Sequence, residues 1–158
     1  ERAGTNAPGY HQADAFDARV RLRDVDGPEA AALLDRLTPE TYLDGHVLIH
    51  RGEVSRDMFL LSAGRLRVQI PLEDGHIMRL RSVTAGAIIG EVAYVLGYTR
   101  GADVVVEGSA TLYRISPETI QRLQSEGVPA QALLDHFIAR ALAERLTEAN
   151  RTIQAALR

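Results

Sequence analysis

Gly90 and Glu91 open a short apolar segment, and Arg100 closes it, followed directly by Gly101 and Ala102. An arginine can donate two parallel hydrogen bonds to a phosphate and keeps its charge when buried. A carboxylate can accept from a sugar hydroxyl. One acid and one base on a single loop can therefore hold a ribose and its phosphate together, without a Walker-type lysine. Glu91–Leu96 reads as one helical turn beginning after Gly90, and the N–H groups of such a turn, that of Val92 included, favour an anion. Gly90 permits a close backbone approach or an unusual dihedral. Gly101 and Ala102 are small enough to leave their N–H groups accessible. Glu91 and Arg100 are expected to hold each other in place before a ligand arrives, because an unpaired buried charge is costly. A Glu and an Arg at this spacing are, on their own, more often a plain ion pair or two solvated groups. The surrounding elements have to decide.

Those elements change character along the chain. Residues 1–27 mix small, polar and charged types and read as a tail or linker, with the domain running from 28 to 158. Gly27-Pro28-Glu29 has the form of a helix start, and Ala30, Leu33, Leu34 and Leu37 recur at helical spacing. Thr38-Pro39-Glu40 interrupts that pattern and is expected to begin another helical turn. Short apolar runs follow at His46–His50, Met58–Ser62, Leu66–Leu72, His76–Val83, Ala87–Ile89, Val104–Val106 and Thr111–Ile115. Most of the breaks between them carry glycine, and Glu73-Asp74-Gly75 is a hairpin signal. Arg65, Arg67, Arg79 and Arg81 alternate along two of the runs, as on a solvated strand face. Ser116-Pro117-Glu118 starts a helix that Gly127 stops. A last helix is expected over roughly Pro129–Leu157. It carries Leu134, Ile138, Leu142, Leu146, Ala149, Ile153 and Ala156 along one face and Arg140, Glu144 and Arg151 on the other.

The loop and its setting together resemble the phosphate-binding cassette of the cyclic-nucleotide-binding domain family, as in catabolite activator proteins, protein kinase A regulatory subunits and cyclic-nucleotide-gated channels. The likeness rests on Gly90, Glu91, Arg100, Gly101 and Ala102. It extends upstream to Gly45-His-Val-Leu-Ile-His-Arg-Gly52-Glu53 and Asp57-Met58-Phe59-Leu60-Leu61-Ser62-Ala63-Gly64. It implies a mainly β fold with flanking α: a jelly-roll-like double-stranded β-helix of about eight strands, short N-terminal helices and a long C-terminal lid helix. It also implies that Glu91 reads the ribose 2′-hydroxyl, that Arg100 reads the cyclic phosphate, and that the N–H groups of Val92 and Gly101 assist. The expected ligand is cAMP or cGMP, sensed by a regulatory domain that moves its last helices. Two positions depart from the family pattern. Gly101 stands where Ser or Thr is common, and so does Asp103. A pocket-facing Asp103 about 6 Å from the phosphate would repel it by roughly 3 kcal/mol at an effective dielectric of about 20. A degenerate fold that binds no nucleotide and serves as an assembly module is therefore the alternative. The helical ending from Phe137 to Ile153 is also similar to the tail of cyclic-nucleotide-type domains on bacterial sulfate-permease-family anion transporters.

Composition narrows the remaining classes. The 158 residues are 46% hydrophobic and 25% charged with net charge −3, which does not point to a nucleic-acid surface. Cysteine is absent, which excludes a disulfide framework, Cys-ligated zinc and a thiol nucleophile, and is compatible with the cytoplasm. No stretch approaches the ~18–20 apolar residues of a membrane span, so no membrane contact is expected from this chain itself. The chain begins with Glu1, as a piece of a longer protein would. His46, His50 and His76 lack a cupin pattern and read as turn or surface histidines. No P-loop or nucleophile elbow is present, so neither a catalytic residue nor a metal is expected. No helix-turn-helix follows the last helix, which puts the output elsewhere. Tyr94 and Tyr98 flank the loop as packing residues or base-stacking platforms. The apolar stripe of the last helix suits core packing, a lid over the purine, or a homodimer contact.

Overall fold

A computed structural model describes residues 31–158. The expected tail, the helix start at Gly27-Pro28-Glu29 and Ala30 lie outside those residues. Residues 31–35 are helical. They are followed by β1 (Pro39–Leu43), β2 (Val47–Ile49), β3 (Met58–Pro71), β4 (Ile77–Thr84), β5 (Ile88–Ile89), α1 (Glu91–Leu96), β6 (Asp103–Ile115), α2 (Pro117–Ser125) and α3 (Ala130–Ala156). The six strands pair antiparallel in the order β1-β6-β3-β4, with β2 also on β6 and β5 on β3.

The segment Thr38-Pro39-Glu40 does not begin a helical turn. Pro39 is the first residue of β1, paired with Tyr113 at the edge of the sheet. A proline is tolerated there because an edge strand leaves part of its ladder unused. The expected breaks at Ala63-Gly64 and Glu107-Gly108 do not end strands either. They bend β3 and β6, whose mutual register shifts between Leu61 and Ala63 and again between Gly64 and Arg65. Gly64 is left-handed (φ 90), and a Cβ there would lie 2.0 Å from the Ser109 carbonyl oxygen. Glycine at this bulge thus lets the strand turn a corner without interruption. The expected eight strands become six, two of them folded into halves.

Period-two alternation sends the run Met58-Phe59-Leu60-Leu61 to two cores. Met58 and Leu60 join Leu33, Leu34, Ile115, Leu123, Leu134 and Phe137 beneath the helices. Phe59 and Leu61 join Leu66, Val68, Ile89, Val104 and Leu112 inside the roll. Each such full burial contributes roughly 1.5–3 kcal/mol, which explains why this strand is apolar on both faces. The helix α2 is capped as expected: the Ser116 Oγ accepts from the Thr119 N–H at 3.1 Å. The apolar stripe of α3 packs only at its start. Leu134 and Ile138 are buried, but Leu142 is 42%, Leu146 64% and Ile153 58% exposed. The distal half of α3 therefore leaves the core, contrary to core packing along its full length.

Candidate functional site

The loop between β5 and β6 forms one wall of a cavity of about 340 Å³. Gly90, Glu91, Val92, Arg100, Gly101 and Ala102 all line it. Gly90 meets two demands at once. Its φ is 89, and a Cβ would stand 2.7 Å from the Asp57 carbonyl oxygen and 2.9 Å from an Arg100 guanidinium nitrogen. Only glycine satisfies both. The helix α1 starts on the next residue, and its first-turn N–H groups, Val92 among them, have no acceptor within the helix. Gly101 has open space around its Cα.

Arg100 is 5% exposed, yet its guanidinium bonds only to neutral oxygens. It donates to Gly90 O at 3.1 Å, to Ser55 Oγ at 3.2 Å and to Asp57 O at 2.6 Å. Its Nε is buried without a partner among the described residues. Its backbone is clamped as well, by Gly52 N–H to Arg100 O at 2.8 Å and Arg100 N–H to Glu53 O at 2.9 Å. Burial lowers the Arg100 pKa; Asp57, Glu53 and Glu91 partly offset this. The guanidinium is thus fixed by uncharged groups, and its charge remains available to an anion.

Glu91 is 2% exposed, but it does not pair with Arg100. Its carboxylate forms an ion pair with Arg145 of α3. The expected Glu91–Arg100 pair is replaced because the bound carbonyls hold Arg100 away, while α3 brings a second cation to the cavity mouth. Asp103 does not line the cavity. Its Oδ1 accepts from the Arg51 N–H at 2.7 Å, across the start of β6. Tyr94 packs against the helical core and donates from its hydroxyl to Gln131 Oε1 at 2.9 Å, tying α1 to α3. Tyr98 is exposed and outside the cavity.

Sequence reasoning missed two arginines. Arg145 lines the cavity from α3, although the sequence reading named Arg140, Glu144 and Arg151, and not Arg145, on the polar face of that helix. Phe137, Ala141 and Arg145 recur at four-residue spacing and would have shown this second face. Arg81 was read as part of a solvated strand face. Its neighbours on that face, Arg67 and Arg79, are partners of Glu107. However, β3 and β4 slip register so that Val68 pairs with Arg81 and Gln69 with Arg79. Leu80 is the extra residue. Cross-strand partners share a face, so Arg79 and Arg81 point to opposite sides, and Arg81, exposed as expected, also lines the cavity. The histidines stay apart from it: His46 stacks on Tyr42 and His76 meets Asp74. No cluster among the described residues could hold a metal.

The sequence profile of the cyclic nucleotide-binding domain matches residues 39–126, more than half of the chain. The chain belongs to the cyclic nucleotide-binding domain family. It is 30% identical over 141 residues to glutaminase 1 of Bradyrhizobium diazoefficiens, covering 89% of this chain and 22% of that protein. It is 27% identical over 109 residues to the mouse cyclic nucleotide-gated channel alpha-4, covering 65% of this chain and 18% of the channel. The chain thus spans about a fifth of the length of these curated relatives. A solved cyclic nucleotide-binding domain from Methylobacillus flagellatus superposes with a TM-score of 0.73 at 18% identity, over 89% of this chain and 83% of that one. That likeness establishes the fold, a β-roll with flanking helices. As a member of this family the chain is a regulatory-type domain, and no described helix is long and apolar enough to cross a membrane.

Proposed function

We propose that this domain binds cAMP or cGMP as a non-catalytic sensor and relays occupancy through α3. The observation that carries the reading is Arg100: a buried cation bonded only to neutral oxygens, on a cavity it shares with a buried carboxylate. The phosphate sits at Arg100, helped by the N–H groups of Val92 and Gly101, with Gly90 and Ala102 giving it room. The ribose hydroxyl is read by Glu91. The relay follows from the Glu91–Arg145 ion pair. A ribose hydroxyl competes with Arg145 for the same carboxylate, so binding changes the hold of the loop on α3. The output is an attached or partner domain on the cytoplasmic side, with an anion transporter of the sulfate-permease type as one candidate.

The test is calorimetric titration of the chain with cAMP and with cGMP, repeated on Arg100→Ala. Saturable binding is expected, weakened by about a hundredfold or more in the variant, since a charge-assisted bidentate contact is removed. Absence of binding to both nucleotides, or binding indifferent to Arg100→Ala, overturns the reading. Asp103 holds the Arg51 N–H, so Asp103→Thr is expected to leave affinity largely unchanged.

A second reading is an assembly module that binds no nucleotide. The exposed Leu142, Leu146 and Ile153 favour it, because a lone helix rarely shows so many apolar side chains to water. Homodimerisation through α3 would cover them, and sedimentation over a range of concentrations measures it.

A further inference from the structure

A cyclic phosphate spreads one negative charge over two exocyclic oxygens, each able to accept more than one hydrogen bond. Arg100 has five N–H donors, and Gly90 O, Ser55 Oγ and Asp57 O already occupy three of them. Gly101, the next residue, has only its backbone N–H to give. Any further neutral donor has to come from another side chain on the cavity wall. Among the described residues that line the cavity, Thr99 alone carries a hydroxyl. That hydroxyl has no hydrogen-bond partner among the described residues. Thr99 is exposed, as a group on the wall of an open cavity is until a ligand covers it.

The place of Thr99 is fixed from both sides. Gly97 ends α1 in the left-handed region (φ 71), with its N–H bonded to Ala93 O at 2.9 Å. Three positions on, the Arg100 backbone is clamped between Gly52 and Glu53. Only Tyr98 and Thr99 lie between these anchors, so Thr99 has little freedom left to lose on binding. The branched Cβ of threonine restricts χ1 further. Its hydroxyl can still rotate the hydrogen toward an acceptor without moving the chain. The immediate neighbour of the phosphate-reading arginine is thus a preorganised, uncommitted donor.

We propose that the Thr99 hydroxyl donates to an exocyclic phosphate oxygen, as a further ligand-binding residue beside Arg100. The inference rests on the cyclic-nucleotide reading above. The test is calorimetry on the full 158-residue chain with cAMP, with cGMP and with the two phosphorothioate diastereomers of each. Each diastereomer replaces one exocyclic oxygen by sulfur, a weak acceptor. Thr99→Val keeps the shape and removes the donor, and Thr99→Ser keeps the donor. Thr99→Val is expected to weaken cAMP and cGMP about tenfold, the lower range for a hydrogen bond to a charged group. Thr99→Ser is expected to stay within about twofold of the parent chain. The affinity ratio of the two diastereomers is expected to shift about fivefold or more in Thr99→Val and to hold in Thr99→Ser, because a residue in contact with one oxygen couples to its replacement. Unchanged binding in Thr99→Val overturns the proposal. So does a loss equal for oxygen and sulfur ligands, which is what a merely structural role gives. Binding that Arg100→Ala weakens but Thr99→Val leaves alone overturns this contact and leaves the sensor standing. If no nucleotide binds the parent chain, the sensor and this contact fall together. The diastereomer ratio is taken within one protein, so it does not depend on how much of any variant is folded.

Discussion

At the residue scale the site is a division of labour between two arginines and one glutamate. Arg100 is anchored through uncharged partners, and Arg145 is spent on Glu91. Glycine sets the geometry in the same loop, and two glycines there behave differently. Gly90→Ala places a Cβ against the Asp57 carbonyl at a positive φ, whereas Gly101→Ala meets nothing within 4 Å. The first substitution is expected to cost on the order of 1–3 kcal/mol and to displace Arg100. The second is expected to leave stability nearly unchanged. Thermal melts of the two variants decide this, and similar melting temperatures would contradict the strained role of Gly90. The four loop residues Gly90, Glu91, Arg100 and Gly101 could be found in the sequence because they lie close together in it. The partner of Glu91 could not, since Arg145 comes from a helix more than fifty positions away.

At the element scale, periodicity located nearly every strand and helix but could not foresee where glycine bends a strand. Gly64 and Gly108 look like loop punctuation in one dimension and act as corners in three. The bulge at Leu80 is equally silent in the sequence, since alternating arginines look the same whether or not a register shift separates them. Among the elements, α3 is joined to the loop by side chains: the Glu91–Arg145 pair and the Tyr94–Gln131 bond. Arg145→Met removes the ionic link and leaves a buried carboxylate unpaired. Breaking a fully buried pair costs about 3–5 kcal/mol; the cost here is expected to fall below that, as Arg145 is partly exposed. Amide hydrogen exchange over residues 140–156 is expected to quicken in the ligand-free variant and to lose its response to cyclic nucleotide. Unaltered exchange would show that Arg145 does not hold the helix.

At the scale of the whole molecule, two cores back to back make the β-roll and its helical layer one body, while the distal half of α3 projects from it with exposed leucines. The family and the roll were legible because strands and motif reinforced each other. The fate of that helix was not, because an apolar stripe does not say whether it is covered by its own domain or by another. The Glu91–Arg145 pair also bears on time. In the proposed mode of binding, the phosphate side is pre-formed by the clamped Arg100, but the sugar side is already engaged. A nucleotide can therefore dock at once yet complete its contacts only when the helix lets go. Stopped-flow binding is then expected to show an observed rate that levels off as nucleotide concentration rises, the plateau being set by helix release rather than by diffusion. In Arg145→Met the plateau should move upward or disappear. A rate that climbs linearly in both proteins would mean that the gate is never felt.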